Sequence, residues 1–177
     1  MSIERRGYAV EIRAKGRRLE GYAATFASSA NIGGRFTESI APGAFAGSLR
    51  SKADVLALVD HDPGRVLART RSGTLRLAED SRGLAFDLDV PDTAAGRDVL
   101  ALAERGDLGG MSFGFTALDE KRDGDRRELL AVELHEISVV QAWPAYEGTV
   151  IQARSLFRPS PFRSYADRAL RLLELSR

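Results

Sequence analysis

Few side chains in this sequence can carry reaction chemistry, and His61 is one of them. The chain has no cysteine and two histidines, His61 and His135. His61 follows an apolar run and lies between Asp60 and Asp62. Because an imidazole titrates near neutral pH, His61 can serve as a general base at the end of a strand. Two other interpretations stay open: a surface turn residue, or a metal ligand together with the two aspartates, although no HxH or HExxH spacing accompanies it.

Ser112 lies in a glycine-rich apolar stretch, Gly109–Phe115 (GGMSFGF). As a strand, this stretch directs its large side chains to one face and leaves Ser112 and Gly114 on the other. A chain or ligand could then approach the serine oxygen, as a nucleophile requires. The same pattern is also typical of an ordinary strand that packs closely against another backbone.

Glu136 is the third candidate, within the predicted strand Glu128–Val140. Strict alternation places its carboxylate on one face with four aliphatic side chains: Leu130, Val132, Leu134 and Val140. A carboxylate in such surroundings is costly unless it is paired or hydrogen-bonded. An imidazole N–H, as in a catalytic triad, would satisfy it, and so would an arginine in an ordinary buried salt bridge.

The elements that must position these residues are mostly short strands. Alternation and turn signals predict one helix in the body of the chain, Ala94–Arg105, capped near Asp92-Thr93 and stopped at Gly106. Ser28–Gly34 is predicted to be loop. The predicted strands are Gly7–Arg13, Leu19–Phe26, Val55–Val59, Arg65–Thr70, Thr74–Leu77, Leu84–Val90 and Glu128–Val140, with the fourth and fifth forming a hairpin. This pattern predicts the α+β class, as a mostly antiparallel β-barrel surrounded by a few helices.

Composition limits the remaining function classes. The 177 residues divide into a predicted domain, 1–153, and a tail, 154–177, made of a Pro-containing linker and an amphipathic helix. A net charge of +1 gives no support to a nucleic-acid or membrane-surface role. We expect no cofactor and no metal, since no phosphate-binding loop or metal-ligand spacing is found. With neither a signal-peptide pattern nor a bilayer-length apolar run, the host cytoplasm is the expected compartment.

Several short motifs, in a fixed order, resemble the procapsid maturation (prohead) serine proteases of tailed phages. This family also occurs in prophages and gene transfer agents. The resemblance covers about residues 7–151 and rests on Gly21–Phe26 (GYAATF), Glu38–Phe45 (ESIAPGAF), His61–Pro63 (HDP), Arg69–Leu75 (RTRSGTL), Pro91–Asp98 (PDTAAGRD), Met111–Phe115 (MSFGF), Glu136–Val140 (EISVV) and Pro144–Tyr146 (PAY).

The resemblance implies a fold related to the herpesvirus assemblin proteases and a serine endopeptidase activity. Ser112 is then the nucleophile and His61 the general base. Glu136 falls where the third member is expected, although that member is a histidine in the herpesvirus relatives and His135 is its neighbour. Oxyanion stabilisation is expected near Trp143–Tyr146. The implied substrates are the scaffolding segment of the major capsid protein and the protease itself, cut inside the assembling procapsid, with self-association into a homo-oligomer as a further expectation.

Two rival hypotheses come from other classes of protein. One is a catalytically silent capsid-assembly or scaffold factor that keeps the same fold. The other is a small metal-dependent hydrolase that uses His61 with Asp60 and Asp62. The segment Phe157–Arg177 is interpreted separately, as a targeting or self-association segment that docks on capsid subunits.

Overall fold

The structure is a computed structural model that describes residues 3–8, 12–26 and 28–142. It contains two β-sheets and two helices. The strands are β1 (Glu4–Tyr8), β2 (Ile12–Lys15), β3 (Arg18–Thr25), β4 (Ser29–Ile32), β5 (Phe36–Ile40), β6 (Leu56–Val59), β7 (Asp62–Arg69), β8 (Leu75–Glu79), β9 (Gly83–Asp89), β10 (Gly110–Asp123) and β11 (Arg126–Val140). The helices are α1 (Ala46–Ser51) and α2 (Ala94–Arg105).

The larger sheet has seven strands and is built on the long hairpin of β10 and β11. β1 pairs antiparallel with the outer side of β10. On the far side of β11, β5 and β6 pair in parallel with different parts of the same strand, at residues 126–129 and 136–139. β4 extends the sheet from β5, and β7 extends it from β6.

The segment between β5 and β6 fills the gap that these two strands leave along β11. Backbone N–H groups in this gap have no strand partner, yet a buried donor needs one. The Val132 N–H donates to the Ala44 carbonyl at 3.0 Å, and the Leu134 N–H donates to Ser48 Oγ at 2.9 Å. Ala44 and helix α1 together therefore complete the edge of β11 just before the strand reaches Glu136.

The smaller sheet, in the order β2-β3-β9-β8, supplies part of the same hydrophobic core. Aromatic rings occupy the core beneath β10, the strand that carries Ser112. Phe113 packs edge-on against Phe45 at 5.5 Å and stacks with Phe115 at 5.1 Å, measured between ring centroids. All three side chains are fully buried, so β10 is fixed by its large side chains on the face away from Ser112.

The predicted α+β class is confirmed, but the predicted closed barrel is not found in the described part of the chain. β1 and β2 are consecutive in sequence yet belong to different sheets, and no ladder of hydrogen bonds between described strands joins the two sheets. A barrel requires a continuous ladder around its circumference. The described strands therefore form two open sheets that share a core.

Local predictions had mixed outcomes. The helix Ala94–Arg105 is confirmed, with the Thr93 hydroxyl accepting from the Gly96 N–H at 3.1 Å and Gly106 ending it at φ 73°. The loop predicted at 28–34 is wrong, because it contains β4. The hairpin predicted over 65–77 is also wrong: β7 pairs with β6 and β8 pairs with β9, so the intervening turn carries the chain between sheets.

No helix among the described residues has the length and apolar character that crossing a bilayer requires. The predicted tail, 154–177, lies outside those residues. The boundary at 153 therefore stays a prediction.

Candidate active site

His61 occupies a two-residue turn between β6 and β7. Val59 pairs with Asp62, so only Asp60 and His61 make the connection, with φ values of 50° and 61°. Two successive left-handed residues define the type I′ hairpin turn, where glycine and asparagine are preferred. Left-handed backbone costs a residue with a β-carbon about 1 kcal/mol. His61 is thus held in a conformation that its side chain alone does not favour, as is common at functional sites.

The turn is tied to the end of β11, and this fixes where the imidazole lies. The Asp60 N–H donates to the Val139 carbonyl at 3.0 Å, and Asp60 Oδ1 accepts from the Gln141 N–H at 2.9 Å. The His61 N–H donates to Ser138 Oγ at 3.2 Å. Three hydrogen bonds therefore place the turn directly over β11.

The structure brings His61 and Glu136 together. His61 Nδ1 lies 2.6 Å from Glu136 Oε1, and both side chains are about a tenth exposed, at 11% and 9%. The second carboxylate oxygen, Oε2, accepts from Ser138 Oγ at 2.6 Å. An ionised carboxylate only accepts hydrogen bonds, so the proton between His61 and Glu136 belongs to His61 Nδ1. Nε2 is then the basic nitrogen.

A β-bulge at His135 directs Glu136 out of the core, and the predicted alternation along β11 is wrong on this point. Gly114 pairs with Glu136, but its neighbour Phe115 pairs with Leu134, which leaves His135 as an extra residue. Bulges change the facing of side chains and are frequent beside active sites. Leu134 and Val132 therefore lie in the core cluster, while Glu136 lies on the face of Gly114.

Ser112 lies on the same face, one strand away from this pair. It is directly opposite Ser138 in the β10–β11 ladder, and it is 1% exposed. Its Oγ donates to the Arg6 carbonyl of β1 at 2.8 Å. Among the hydrogen bonds of the described residues, none joins Ser112 to His61. The sheet therefore places the serine beside the histidine–carboxylate pair, with its hydroxyl turned to β1.

Two glycines near Ser112 are required by packing within the chain. A β-carbon at Gly114 would lie 2.4 Å from Glu136 Oε1, and one at Gly109 would lie 1.5 Å from the Ala142 carbonyl oxygen. Gly114 thus makes room for the carboxylate that contacts His61.

The other candidates from the sequence lie apart from this contact. His135 is linked by a hydrogen bond of 2.8 Å to Thr116 Oγ1 and does not contact His61. Asp60 is used by the turn, and Asp62 Oδ1 accepts from the Gly64 N–H at 2.8 Å. Within the described residues, no three His, Cys, Asp or Glu side chains are grouped as metal ligands. The expected oxyanion stretch, 143–146, lies outside those residues.

Sequence reasoning missed the contributions of Ser138 and Arg5. Ser138 is fully buried and bridges the Glu136 carboxylate and the His61 backbone. Its spacing of two from Glu136 was a usable signal, because alternate strand residues share a face. Arg5 Nε lies 3.7 Å from Glu136 Oε1, on a side chain that is 47% exposed. Nothing in the sequence marks Arg5, since β1 reaches the site only through sheet pairing.

A buried ion cluster holds β1 against the sheet on the core side. Arg6 donates to Glu38 at 2.5 and 3.0 Å, and Arg127 donates to Glu38 at 2.9 Å. Arg127 also contacts Glu4 and Glu120. Its hydrogen bond holds the pKa of Glu4 below the usual range. The pKa of Glu120 is also lowered, mainly by its hydrogen bond from Arg122 and secondarily by the one from Arg127.

A strand serine beside a histidine that donates to a carboxylate is the arrangement of serine-dependent acyl-transfer hydrolases. The profile of one such class, the caudovirus prohead serine proteases, matches residues 6–159, which is most of the chain. The chain belongs to this family, and it is therefore a serine peptidase of bacteriophage capsid maturation. No curated protein and no solved structure gives a significant match.

Proposed function

We propose that Ser112, His61 and Glu136 form the catalytic triad of this protease. We further propose that it cuts the scaffolding segment of the major capsid protein, and itself, inside the assembling procapsid. The observation that carries the proposal is the 2.6 Å contact between His61 Nδ1 and Glu136 Oε1. It leaves Nε2 free to accept a proton from a hydroxyl on the same face of the sheet.

In the first half of the proposed reaction, Ser112 Oγ attacks the scissile carbonyl carbon. His61 Nε2 takes the hydroxyl proton as the new C–O bond forms, and then delivers it to the leaving amine. The products are an acyl-enzyme at Ser112 and a free amino terminus. In the second half, water attacks the acyl carbon while His61 removes its proton, and the serine hydroxyl is restored.

Glu136 has two tasks in this scheme. It keeps the proton of the neutral imidazole on Nδ1, and it stabilises the imidazolium that forms when Nε2 is protonated. Ser138 positions Glu136, because its hydroxyl donates to the oxygen that His61 does not use. The oxyanion of the tetrahedral intermediate is assigned to backbone N–H groups near Trp143–Tyr146, where Pro144 has none to offer.

The partners of the proposed reaction are the capsid protein and a second copy of the protease. Phe157–Arg177 is proposed to deliver the enzyme to the capsid shell, since a proline-containing linker and a leucine-striped segment follow the last of the family-like motifs, Pro144–Tyr146. A chain ending at Arg154 would then lose packaging or cleavage during co-assembly, while normal co-assembly and cleavage would contradict this role. Kinship of the two-sheet fold with the herpesvirus assemblin proteases is likewise a proposal, which an experimental structure would test.

Co-expression with the capsid protein of the same gene cluster tests the triad directly. Wild type should yield the shortened capsid product, whereas Ser112→Ala should yield the full-length capsid protein alone. Ser72→Ala is a suitable control, because Ser72 is an exposed hydroxyl in the turn between β7 and β8. A shortened product from Ser112→Ala would reject Ser112 as the nucleophile. The better explanation of that result would be that this protein is a catalytically silent capsid-assembly or scaffold factor and that another protease cuts the capsid protein.

A further inference from the structure

β1 pairs with β10, the strand that carries the proposed nucleophile Ser112, on the edge opposite β11. It is an edge strand of the seven-stranded sheet, and within the described part of the chain its single ladder is with β10. In this ladder Gly7 lies opposite Ser112, and Arg5 lies opposite Gly114. An extended peptide that reached Ser112 by pairing with β10 would need the same edge.

Two of the three proposed catalytic residues are contacted by β1. The Arg6 carbonyl accepts a hydrogen bond from Ser112 Oγ at 2.8 Å, and Arg5 Nε lies 3.7 Å from Glu136 Oε1, the oxygen that also contacts His61. These contacts come from successive residues of one strand. Pairing of β1 with β10 therefore imposes both at once.

The contacts have a direct consequence for the reactivity of Ser112. A hydroxyl that donates to a backbone carbonyl cannot at the same time donate to His61 Nε2, because it has one proton. At 1% exposure, the serine oxygen is also closed to a substrate carbonyl. The described conformation therefore has an assembled His61–Glu136 pair beside a serine that cannot react.

We infer that β1 is an inhibitory strand, which keeps the protease at rest until an extended segment of the protein substrate replaces it along β10. This inference rests on the proposed function. Replacement would free the Ser112 proton for His61 and expose the edge of β10. The incoming segment would pair antiparallel with β10, as β1 does, with a small residue opposite Ser112 in the place of Gly7.

The charges on β1 make this replacement feasible. Glu4 and Arg6 are its contribution to the buried ion cluster, one negative and one positive. When both leave, Glu38 keeps its 2.9 Å bond from Arg127, and Arg127 keeps Glu120. No buried charge is left without a partner, which would otherwise be strongly unfavourable. The cluster thus holds β1 in register without making its departure prohibitive.

Two matched variants separate an inhibitory strand from a structural one. Glu4 and Glu120 both pair with Arg127, and their side chains are 27% and 29% exposed, but only Glu4 belongs to β1. The assay is labelling of Ser112 by a fluorophosphonate, with the modified residue mapped by mass spectrometry. In this reaction the serine oxygen bonds to phosphorus, fluoride leaves, and the hydroxyl proton passes to His61.

We expect Glu4→Gln to label about two- to fivefold faster than wild type, as loss of a partly exposed ion pair would allow. Glu120→Gln should label at the wild-type rate. Equal rates in all three proteins, or equal acceleration in both variants, would overturn the inhibitory strand. Melting temperatures measured alongside would show whether each variant keeps the fold.

Hydrogen exchange on the wild-type protein gives a second measurement that needs no variant. When Ser112 carries the phosphonate, the amides of residues 3–8 should exchange several-fold faster than in the unlabelled protein. Unchanged protection there would mean that β1 stays in place on the reacted enzyme, and the inference would be wrong. The capsid-cleavage assay of Ser112→Ala tests the catalytic triad independently. A wrong assignment of β1 as an inhibitory strand and a wrong assignment of the triad therefore give different results.

Discussion

The carboxylate of Glu136 lies across Gly114, and a β-carbon on that glycine would be 2.4 Å from Oε1. Gly114 is paired with Glu136 in the β10–β11 ladder, so neither residue can move away without disturbing the sheet. The contact with His61 therefore depends on the absence of a side chain on the neighbouring strand. This dependence gives a test of the site that does not change any proposed catalytic residue.

Gly114→Ala should displace Glu136 from His61 and lower kcat about 100-fold, the effect of misplacing a catalytic group by about 1 Å. The measurement is the rate of capsid cleavage with purified components, together with the melting temperature. Gly47→Ala is the matched control, since a β-carbon there meets nothing within 4 Å and its backbone is helical. A Gly114→Ala protein with wild-type kcat would show that the Glu136 position is not needed.

Glu136→Gln should lower kcat by about 10³ to 10⁴-fold while the fold persists, as removal of the orienting carboxylate does in serine protease triads. The glutamine amide can present an N–H to Nδ1 and favour the wrong tautomer. His135→Gln is the comparison, because His135 hydrogen-bonds Thr116 and not His61, and it should keep most activity. If His135→Gln were the more damaging change, the third member of the triad would be His135.

Ser138→Ala should reduce kcat about tenfold, since one hydrogen bond to the charged carboxylate is lost. Its specific readout is the NMR resonance of the His61 Nδ1–H, which should move upfield when Glu136 is less well fixed. Ser138→Thr keeps the hydroxyl and should restore both the rate and the resonance. A lower melting temperature with unchanged kcat and resonance would assign Ser138 a structural role only.

The ion cluster predicts a loss of stability in acid. The pKa of Glu4 is lowered, chiefly by the Arg127 hydrogen bond, and that of Glu120 is lowered by Arg122 and Arg127. Their stabilisation is therefore complete above the usual glutamate pKa of about 4.3 and is lost as pH falls through the lower folded values.

Urea unfolding measures this effect. Glu4→Gln should cost about 1 kcal/mol or less at neutral pH, because the pair is partly exposed, and the difference from wild type should shrink as pH falls below about 4.3. A difference that stays constant from neutral pH to acid would show that the charge of Glu4 is not the cause.

Much of the local structure is readable from the chain. The helix Ala94–Arg105 carries its own start and stop signals in Thr93 and Gly106, so it is predictable without tertiary context. The strand of Ser112 is also recognisable from the alternation of large and small side chains. Both features depend on neighbours in sequence.

Predictions failed where pairing between distant segments decides the outcome. β4 exists because residues 29–32 pair with β5, although their composition is that of a loop. The turn after β7 connects the two sheets, because β7 pairs with β6 and β8 pairs with β9 rather than β7 with β8. Which side chains of β11 share a face depends on the bulge at His135, and strict alternation along the sequence does not predict this bulge.

The sequence by itself determined the family, the α+β class and the few residues able to do chemistry. With no cysteine and two histidines, the chain offers a narrow choice of base and nucleophile. Only the tertiary structure decided how these residues meet. A two-residue turn, a bulge and a missing β-carbon bring His61 to Glu136, and sheet pairing turns the Ser112 hydroxyl to β1. Such contacts join residues 75 and 106 positions apart, a separation that local propensity does not constrain.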